Sequence, residues 1–216
     1  MLLAAMQNNL AALYETPIEH CVDDFLITDA RLADSFQPTQ PDRMNNERLL
    51  LRQSAGCLDI SLYIDRDIID ALTDLDPYRQ LNGENLNNFL IALEGVSHFN
   101  YVIWNAAYER EFTQLELELQ AEVDKFITAL MLFDAQGSFP TPARVHERLF
   151  EGVLFGSAGD TAAGQRYREA NHLAAKYCKR LVRRFPAQHR EPSFINEIRR
   201  FYRLPQNQKI RLIEQH

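Results

Sequence analysis

The chain has 216 residues, and 23 lysines and arginines against 30 aspartates and glutamates give it a net charge of −7. Hydrophobic residues make up 46% of it and charged residues 25%, which is typical of a globular protein and excludes intrinsic disorder, collagen and a pure coiled coil. Its 8 glycines are about half the usual frequency, which disfavours a β-sandwich or a loop-rich α/β enzyme.

The sequence carries no sign of export or of a membrane span. The first basic residue, Arg31, comes well after the apolar start, so a signal peptide is not expected. No stretch approaches the roughly 18 apolar residues that a transmembrane helix needs. The three cysteines lie far apart and form no metal-binding or disulfide pattern. We therefore expect a cytoplasmic protein with reduced thiols and no membrane partner.

The N-terminal part combines a helix with strands. Leucines and alanines predict a helix over residues 2–14, and Val22–Thr28 is a possible strand. Leu49–Arg52 and Cys57–Asp65 then predict a β-hairpin with Gly56 in its turn. Apolar and polar residues alternate along the second arm, as in a strand with one buried face. A hairpin alone is marginally stable in water, so we expect it to pack on helices, with or without a third strand.

Helices dominate after Asp65. Residues 85–135 contain no proline and show amphipathic-helix spacing, but they are too many for one ordinary helix. We expect a break near Glu109–Thr113, giving either two antiparallel helices or one kinked rod. Further helices are predicted over residues 67–75, 144–155, 166–185, 194–203 and 209–214.

A glycine-rich connection, Gly152–Gly164, divides the chain into parts of opposite charge. Residues 1–163 hold 10 basic and 26 acidic residues, a net charge of −16, whereas residues 164–216 hold 13 basic and 4 acidic residues, a net charge of +9. We expect an acidic body, with a β-hairpin region at about 20–65 and a helical bundle at about 66–155, and a basic helical C-terminal segment packed on it. The predicted fold is α+β, mainly α.

The basic segment suggests a binding surface. On the helix that begins at Arg166, a stripe of basic residues lies opposite the apolar face. Such a stripe can engage an acidic protein surface, nucleic acid or the chain's own acidic body. The leading hypothesis is a non-enzymatic interaction or regulatory protein that engages an acidic partner. The predicted binding residues are Lys176, Lys179, Arg180, Arg183, Arg199, Arg200 and Arg203.

A second hypothesis is a metal-dependent oxidoreductase. Glu94 and His98 lie one helical turn apart, and Glu169 and His172 have the Glu-x-x-His spacing of di-iron bundles. Such residues together could ligate iron or manganese; under the leading hypothesis no cofactor is expected. Three features disfavour a site. Only one of the two pairs has the Glu-x-x-His spacing, although a ferritin-like site needs two, and His172 shares its face with basic residues. The third feature is a polar arc that is the least apolar side of its helix and consists of Glu94, His98, Asn105, Glu109 and Glu116. We therefore expect this arc to face solvent.

A third hypothesis is nucleic-acid binding through the same basic helices. The sequence contains no Gly-x-Ser-x-Gly, His-Glu-x-x-His or Gly-x-Gly-x-x-Gly motif, and it leaves partner, substrate and oligomeric state open.

Overall fold

A computed structural model describes residues 2–36, 46–54, 57–137, 140–151, 161–186 and 191–215. The helices in these ranges are α1 Leu2–Tyr14, α2 Ala30–Phe36, α3 Arg66–Asp74, α4 Leu86–Ala107, α5 Gln114–Ala135, α6 Pro142–Phe150, α7 Ala162–Arg184, α8 Pro192–Arg203 and α9 Gln206–Glu214. The strands are β1 Leu26–Ile27, β2 Glu47–Ser54 and β3 Cys57–Ile64. The predicted fold class, mainly helical with a small sheet, is confirmed.

The predicted hairpin is present as β2 and β3, which pair antiparallel with Leu49 opposite Leu62. The first arm begins at Glu47, two residues earlier than the sequence predicted, and this extension brings Glu47 into the pairing. Both strands pack against α4. The other side of the sheet is covered by a small cluster of Ala33, Leu50 and Tyr63. The turn residue Gly56 lies outside the described residues.

The possible strand over Val22–Thr28 is mostly a different structure. Residues Val22–Phe25 form a short 3-10 helix, and only Leu26–Ile27 pair with β3, in parallel. The backbone N–H of Val22 donates to the side-chain oxygen of Gln7 on α1 at 3.0 Å, so this N–H is satisfied by a helix and not by a neighbouring strand. The result is a three-stranded mixed sheet in the order β1-β3-β2.

The long proline-free stretch breaks where the sequence predicts. Glu109 adopts the left-handed conformation with a φ of 50°, just after the end of α4. Thr113 then caps α5, because its hydroxyl accepts the backbone N–H of Glu116 at 3.1 Å. Tyr101 contacts Glu116 and, further from the turn, Ser97 contacts Asp124. The two helices are therefore antiparallel partners and not one kinked rod.

One continuous apolar core extends through both charge halves of the chain. α7 packs on α5, while α1 and the sheet pack on α4. Phe89 and Phe126 from the acidic half and Tyr177 and Phe201 from the basic half belong to the same buried cluster. Tyr177 and Phe201 stack with ring centroids 3.8 Å apart. Residues 152–160 of the predicted glycine-rich connection lie outside the described residues, whereas the predicted boundary after residue 163 falls in the first turn of α7. The division into two parts stays a prediction.

Candidate metal centre

Three potential metal ligands converge between α4 and α5. Glu94 and His98 point from successive turns of α4, and Glu118 faces them from α5. One ligand atom from each of the three residues lies within 4.8 Å of the other two. The predicted solvent-facing position of this polar arc is wrong for His98 and Asn105 of α4, which are buried in the structure, where α4 packs against α5. It is also wrong for Glu116, which is buried on α5 itself, while Glu109 is exposed.

His98 lies between two carboxylates. Its Nε2 atom is 3.5 Å from Glu118 Oε2, and its Nδ1 atom is 3.5 Å from Glu47 Oε1. The side chain is almost completely buried, and Nε2 has no hydrogen-bond partner in the part of the chain that the structure describes. Burial alone would lower the pKa of His98, but the two carboxylates outweigh it and raise this pKa well above its ordinary value.

Gly95 explains how a residue from the sheet reaches a helical histidine. A Cβ atom at position 95 would lie 2.8 Å from Glu47 Cγ and 2.8 Å from Leu62 Cδ1, closer than real Cβ contacts occur. Glycine therefore lets β2 and β3 approach the axis of α4 closely. Glycine inside a helix costs about 1 kcal/mol relative to alanine. At position 95 the absence of a side chain allows the contact between Glu47 of the sheet and His98, which compensates the cost of glycine in the helix.

Lys125 separates the cluster from a fourth glutamate. Its ammonium group donates to Glu94 Oε2 at 2.9 Å and also pairs with Glu122. Tyr167 and Asn171 of α7 donate to the two oxygens of Glu122 at 3.0 and 3.2 Å. Burial would lower the pKa of Lys125, but Glu122 and Glu94 raise it well above its ordinary value, so the ammonium stays charged.

The charges around His98 leave a deficit of positive charge. Burial opposes ionisation of Glu118, but His98, Arg166 and Lys125 together lower its pKa, so it is a carboxylate. Four glutamates against two cations leave a formal charge of −2 when all four are ionised and the imidazole is neutral, and of −1 when the imidazole is protonated; burial raises the pKa of Glu47 and so reduces this negative charge further. A metal cation that displaces the His98 proton would still be attracted by the remaining carboxylates. The groups counted are Glu47, Glu94, Glu118, Glu122, Lys125 and Arg166.

A second buried polar cluster extends from the first along α5. Asp124 accepts hydrogen bonds from Tyr14, Ser97 and Gln120 at 2.5, 2.5 and 2.8 Å, and burial raises its pKa to about 6. Lys209 of α9 is fully buried and donates to Gln120 Oε1 at 2.8 Å. Burial lowers the pKa of Lys209 from 10.5 to about 7. Charged groups are rarely buried so completely, and this cluster ties α9 to α5.

The structure separates the two predicted Glu–His pairs. Glu94 and His98 lie in the cluster with Glu118, whereas Glu169 and His172 are exposed on the opposite side of α7 from the buried Asn171. A di-iron arrangement of all four residues is therefore wrong. Sequence reasoning missed Glu47, Glu118 and Lys125 as members of the site. The spacing of Glu118, Glu122 and Lys125 along one face of α5 was a usable signal, but Glu47 had none.

Three of the seven predicted partner-binding residues have contacts within the protein. Arg180 donates to Glu197 and to the Leu212 carbonyl, at 2.5 and 2.6 Å. Arg199 donates to the Leu13 carbonyl at 2.6 Å and Arg203 to the Tyr14 carbonyl at 2.7 Å, so both bind the end of α1. The other four are exposed: Lys176, Lys179, Arg183 and Arg200. Partner binding through these residues stays a prediction.

Comparisons with protein families, curated proteins and solved structures found no match to this chain. Among the helices of the described ranges, none combines the length and the apolar composition needed to cross a membrane. The evidence for function therefore comes from the site itself.

Proposed function

We propose that this protein binds one divalent metal ion, iron or manganese, through Glu94, His98 and Glu118 and uses it as a metal-dependent enzyme. The observation that carries the proposal is a buried imidazole nitrogen, His98 Nε2, which has no hydrogen-bond partner among the described residues and lies within 4.8 Å of two carboxylate ligands. Without metal this nitrogen forms only a 3.5 Å ion pair with Glu118, and a metal ion bound between the two atoms would replace the proton of the ring and bond to both.

The distances support a shared ion. Two ligand atoms bound to one ion at about 2.1 Å in tetrahedral geometry lie about 3.4 Å apart. His98 Nε2 and Glu118 Oε2 are 3.5 Å apart and do not form a hydrogen bond. Glu94 binds Lys125 through Oε2, which leaves its Oε1 atom to face the ion. One nitrogen with carboxylate oxygens suits iron and manganese.

The number of ligands supports catalysis more than a structural role. Structural metal sites are closed by four protein ligands, whereas catalytic sites have three and keep a position open for water or substrate. The Glu118 side chain is 21% exposed and that of Glu94 17%, so the open side of the site reaches solvent. Iron or manganese with an open position supports the oxidoreductase hypothesis over the non-enzymatic one.

The geometry favours a mononuclear site over a dinuclear one. In a di-iron bundle, a second ion lies between carboxylates of facing helices. Here the ammonium of Lys125 lies between Glu94 and Glu122 and supplies the positive charge that the second ion would bring. We therefore expect one equivalent of metal per chain.

The exposed Glu–His pair provides a matched control for the metal test. The protein is stripped with chelator, loaded with Mn²⁺ or Fe²⁺ under anaerobic conditions, desalted and assayed for metal by elemental analysis. Wild type should retain about one equivalent, and H98A and E118Q should each retain less than a tenth of it. The double variant E169Q/H172A should bind as wild type does. Equal loss in the buried and exposed variants, or no metal in wild type, would contradict the proposal.

A further inference from the structure

A groove between α7 and α9 collects exposed basic side chains. It encloses about 430 Å³ and is lined by Lys176, Lys179, Arg180 and Arg183 of α7 and by Ile213 and Glu214 of α9. This volume lies in the range of about 300–1,000 Å³ that ligand sites occupy. We call it the α7–α9 groove.

Arg180 builds this groove and is not available to a ligand. One of its terminal nitrogens donates to the Leu212 carbonyl on α9 and the other to Glu197 on α8, at 2.6 and 2.5 Å. Its guanidinium therefore holds α9 against α7 and fixes the width of the groove. The groove is formed without a partner, so binding does not have to bear the cost of assembling it.

The remaining cations of the groove share it with one acidic side chain of the described residues, Glu214 on α9, and do not pair with it. Lys176, Lys179 and Arg183 are exposed and, among all the described residues, none of the three forms an ion pair. The first and the last of them, Lys176 and Arg183, are seven positions apart on α7, which is about 10 Å along the helix axis. Like charges at such spacing repel one another, so an anionic ligand would gain electrostatic energy from all three.

The geometry points to an acidic helical segment of a protein partner as the occupant of this groove. Glutamates or aspartates at i, i+3 and i+7 of a helix repeat the spacing of Lys176, Lys179 and Arg183. Glu214 on the opposite wall repels a polyphosphate, whose charge is dense, but a peptide can place a neutral or basic residue beside it. Ile213 adds an apolar contact. This inference is independent of the metal site.

Fluorescence anisotropy with designed peptides tests it on the full chain. The probe is a short, labelled helical peptide with glutamates at i, i+3 and i+7, and the reference peptide has glutamines at these positions. The variant K176E/K179E/R183E should bind the glutamate peptide at least about tenfold more weakly than wild type does, because each reversal removes one attraction and adds one repulsion. Wild-type affinity should fall as salt increases.

A control variant with the same change in net charge separates the groove from overall charge. Arg31, Arg144 and Arg148 are exposed and line no part of the groove, so R31E/R144E/R148E should bind the glutamate peptide within about twofold of wild type. Circular dichroism and melting temperature check that both variants fold. If the reversed variant does not fold, K176Q/K179Q/R183Q replaces it and should also weaken binding.

Three results would overturn the inference. One is equal affinity of wild type for the glutamate and glutamine peptides, and another is an equal loss of binding in the groove and control variants. The third is binding of inorganic tripolyphosphate or a random DNA duplex to the groove when the glutamate peptide does not bind. None of these results affects the metal test, which uses other residues and another readout.

Discussion

Glu47 of the sheet and His98 of α4 meet across Gly95, with Glu47 Oε1 3.5 Å from His98 Nδ1. This contact leaves the other ring nitrogen, Nε2, facing Glu118. A carboxylate beside one nitrogen of a histidine can orient the ring when the other nitrogen binds a metal. Here the contact is an ion pair, because Glu47 Oε1 forms no hydrogen bond with any described residue. Glu47 is therefore a positioning residue for the proposed site. Gly95 leaves the space that the Glu47 side chain needs to reach His98.

We expect Gly95→Ala to weaken metal binding about tenfold or more, because the added methyl group displaces Glu47 from His98. The measurement is a Mn²⁺ titration followed by electron paramagnetic resonance. In an E47A background the same substitution should weaken Mn²⁺ binding much less, since only its close contact with Leu62 remains. Gly83→Ala is the control, because its nearest neighbour would be 3.5 Å away. Unchanged Mn²⁺ affinity in Gly95→Ala would refute the role given to Glu47.

We expect Lys125→Met to destabilise the metal-free protein by about 3–5 kcal/mol, because it leaves the buried carboxylate of Glu122 and the partly exposed one of Glu94 without their cation. Urea unfolding measures this loss. The double variant E122Q/K125M should recover part of it, since one of the two unpaired charges is then gone. A single variant as stable as wild type would show that the ammonium does not balance these glutamates.

We expect Lys209→Met to change how stability depends on pH. The unfolded chain keeps Lys209 protonated up to about pH 10.5, whereas the folded protein releases this proton above about pH 7, so unfolding takes up a proton in between. Relative to the variant, wild type should therefore gain about 2–3 kcal/mol of unfolding free energy between pH 7 and 9. Burial is the main cause; Glu116 and Asp124 oppose it and Arg110 reinforces it.

The comparison with the variant is necessary because His98 makes the unfolding free energy decrease as pH rises, whereas Lys209 makes it increase. Its raised pKa means that the folded protein holds a proton which the unfolded chain loses above about pH 6.5, so this contribution to stability decreases as pH rises. His98 is present in both proteins, and subtraction removes its effect. Lys179→Met, at an exposed position, should show no such pH-dependent difference from wild type. A pH-independent difference for Lys209→Met would contradict the prediction.

Two neighbouring arginines of α8 should differ in their effect on stability. Arg199 donates to the Leu13 carbonyl and pairs with Glu15, so R199A should lower the unfolding free energy by about 1–2 kcal/mol. Arg200 is exposed, and R200A should stay within about 0.5 kcal/mol of wild type. Urea unfolding compares the two variants directly. Equal losses would show that the contact between α8 and α1 does not contribute to stability.

Local signals predicted most of the helical fold. The periodic apolar positions of α4 and α5, the break at Glu109 and the alternation in β3 all depend on residues close in the chain. Two segments differed from the prediction. Helix α2, Ala30–Phe36, was not predicted, and the Val22 segment is mostly not a strand, because its backbone N–H is bonded to Gln7 of α1. No local pattern reports a contact of this kind, and a short apolar run fits a strand or another structure equally well.

The metal cluster was only half predictable for a related reason. The sequence placed Glu94 and His98 on one face of α4 but predicted that this face points to solvent. A helical projection shows which residues share a face and not which element covers it. The covering element, α5, brings its own polar face, and Lys125 pairs with Glu94 across the contact. Burial of the polar arc thus depends on complementary charges that lie 31 residues apart.

The sequence by itself determined the fold class, the approximate positions of most helices and the separation of charge along the chain, but not α2. These properties follow from composition and from spacing of a few residues. Only the tertiary structure decided that His98 lies between Glu47 and Glu118 and that Glu169 and His172 lie apart from it. The physical reason is that a binding site depends on which faces pack together, and packing joins residues far apart in the chain.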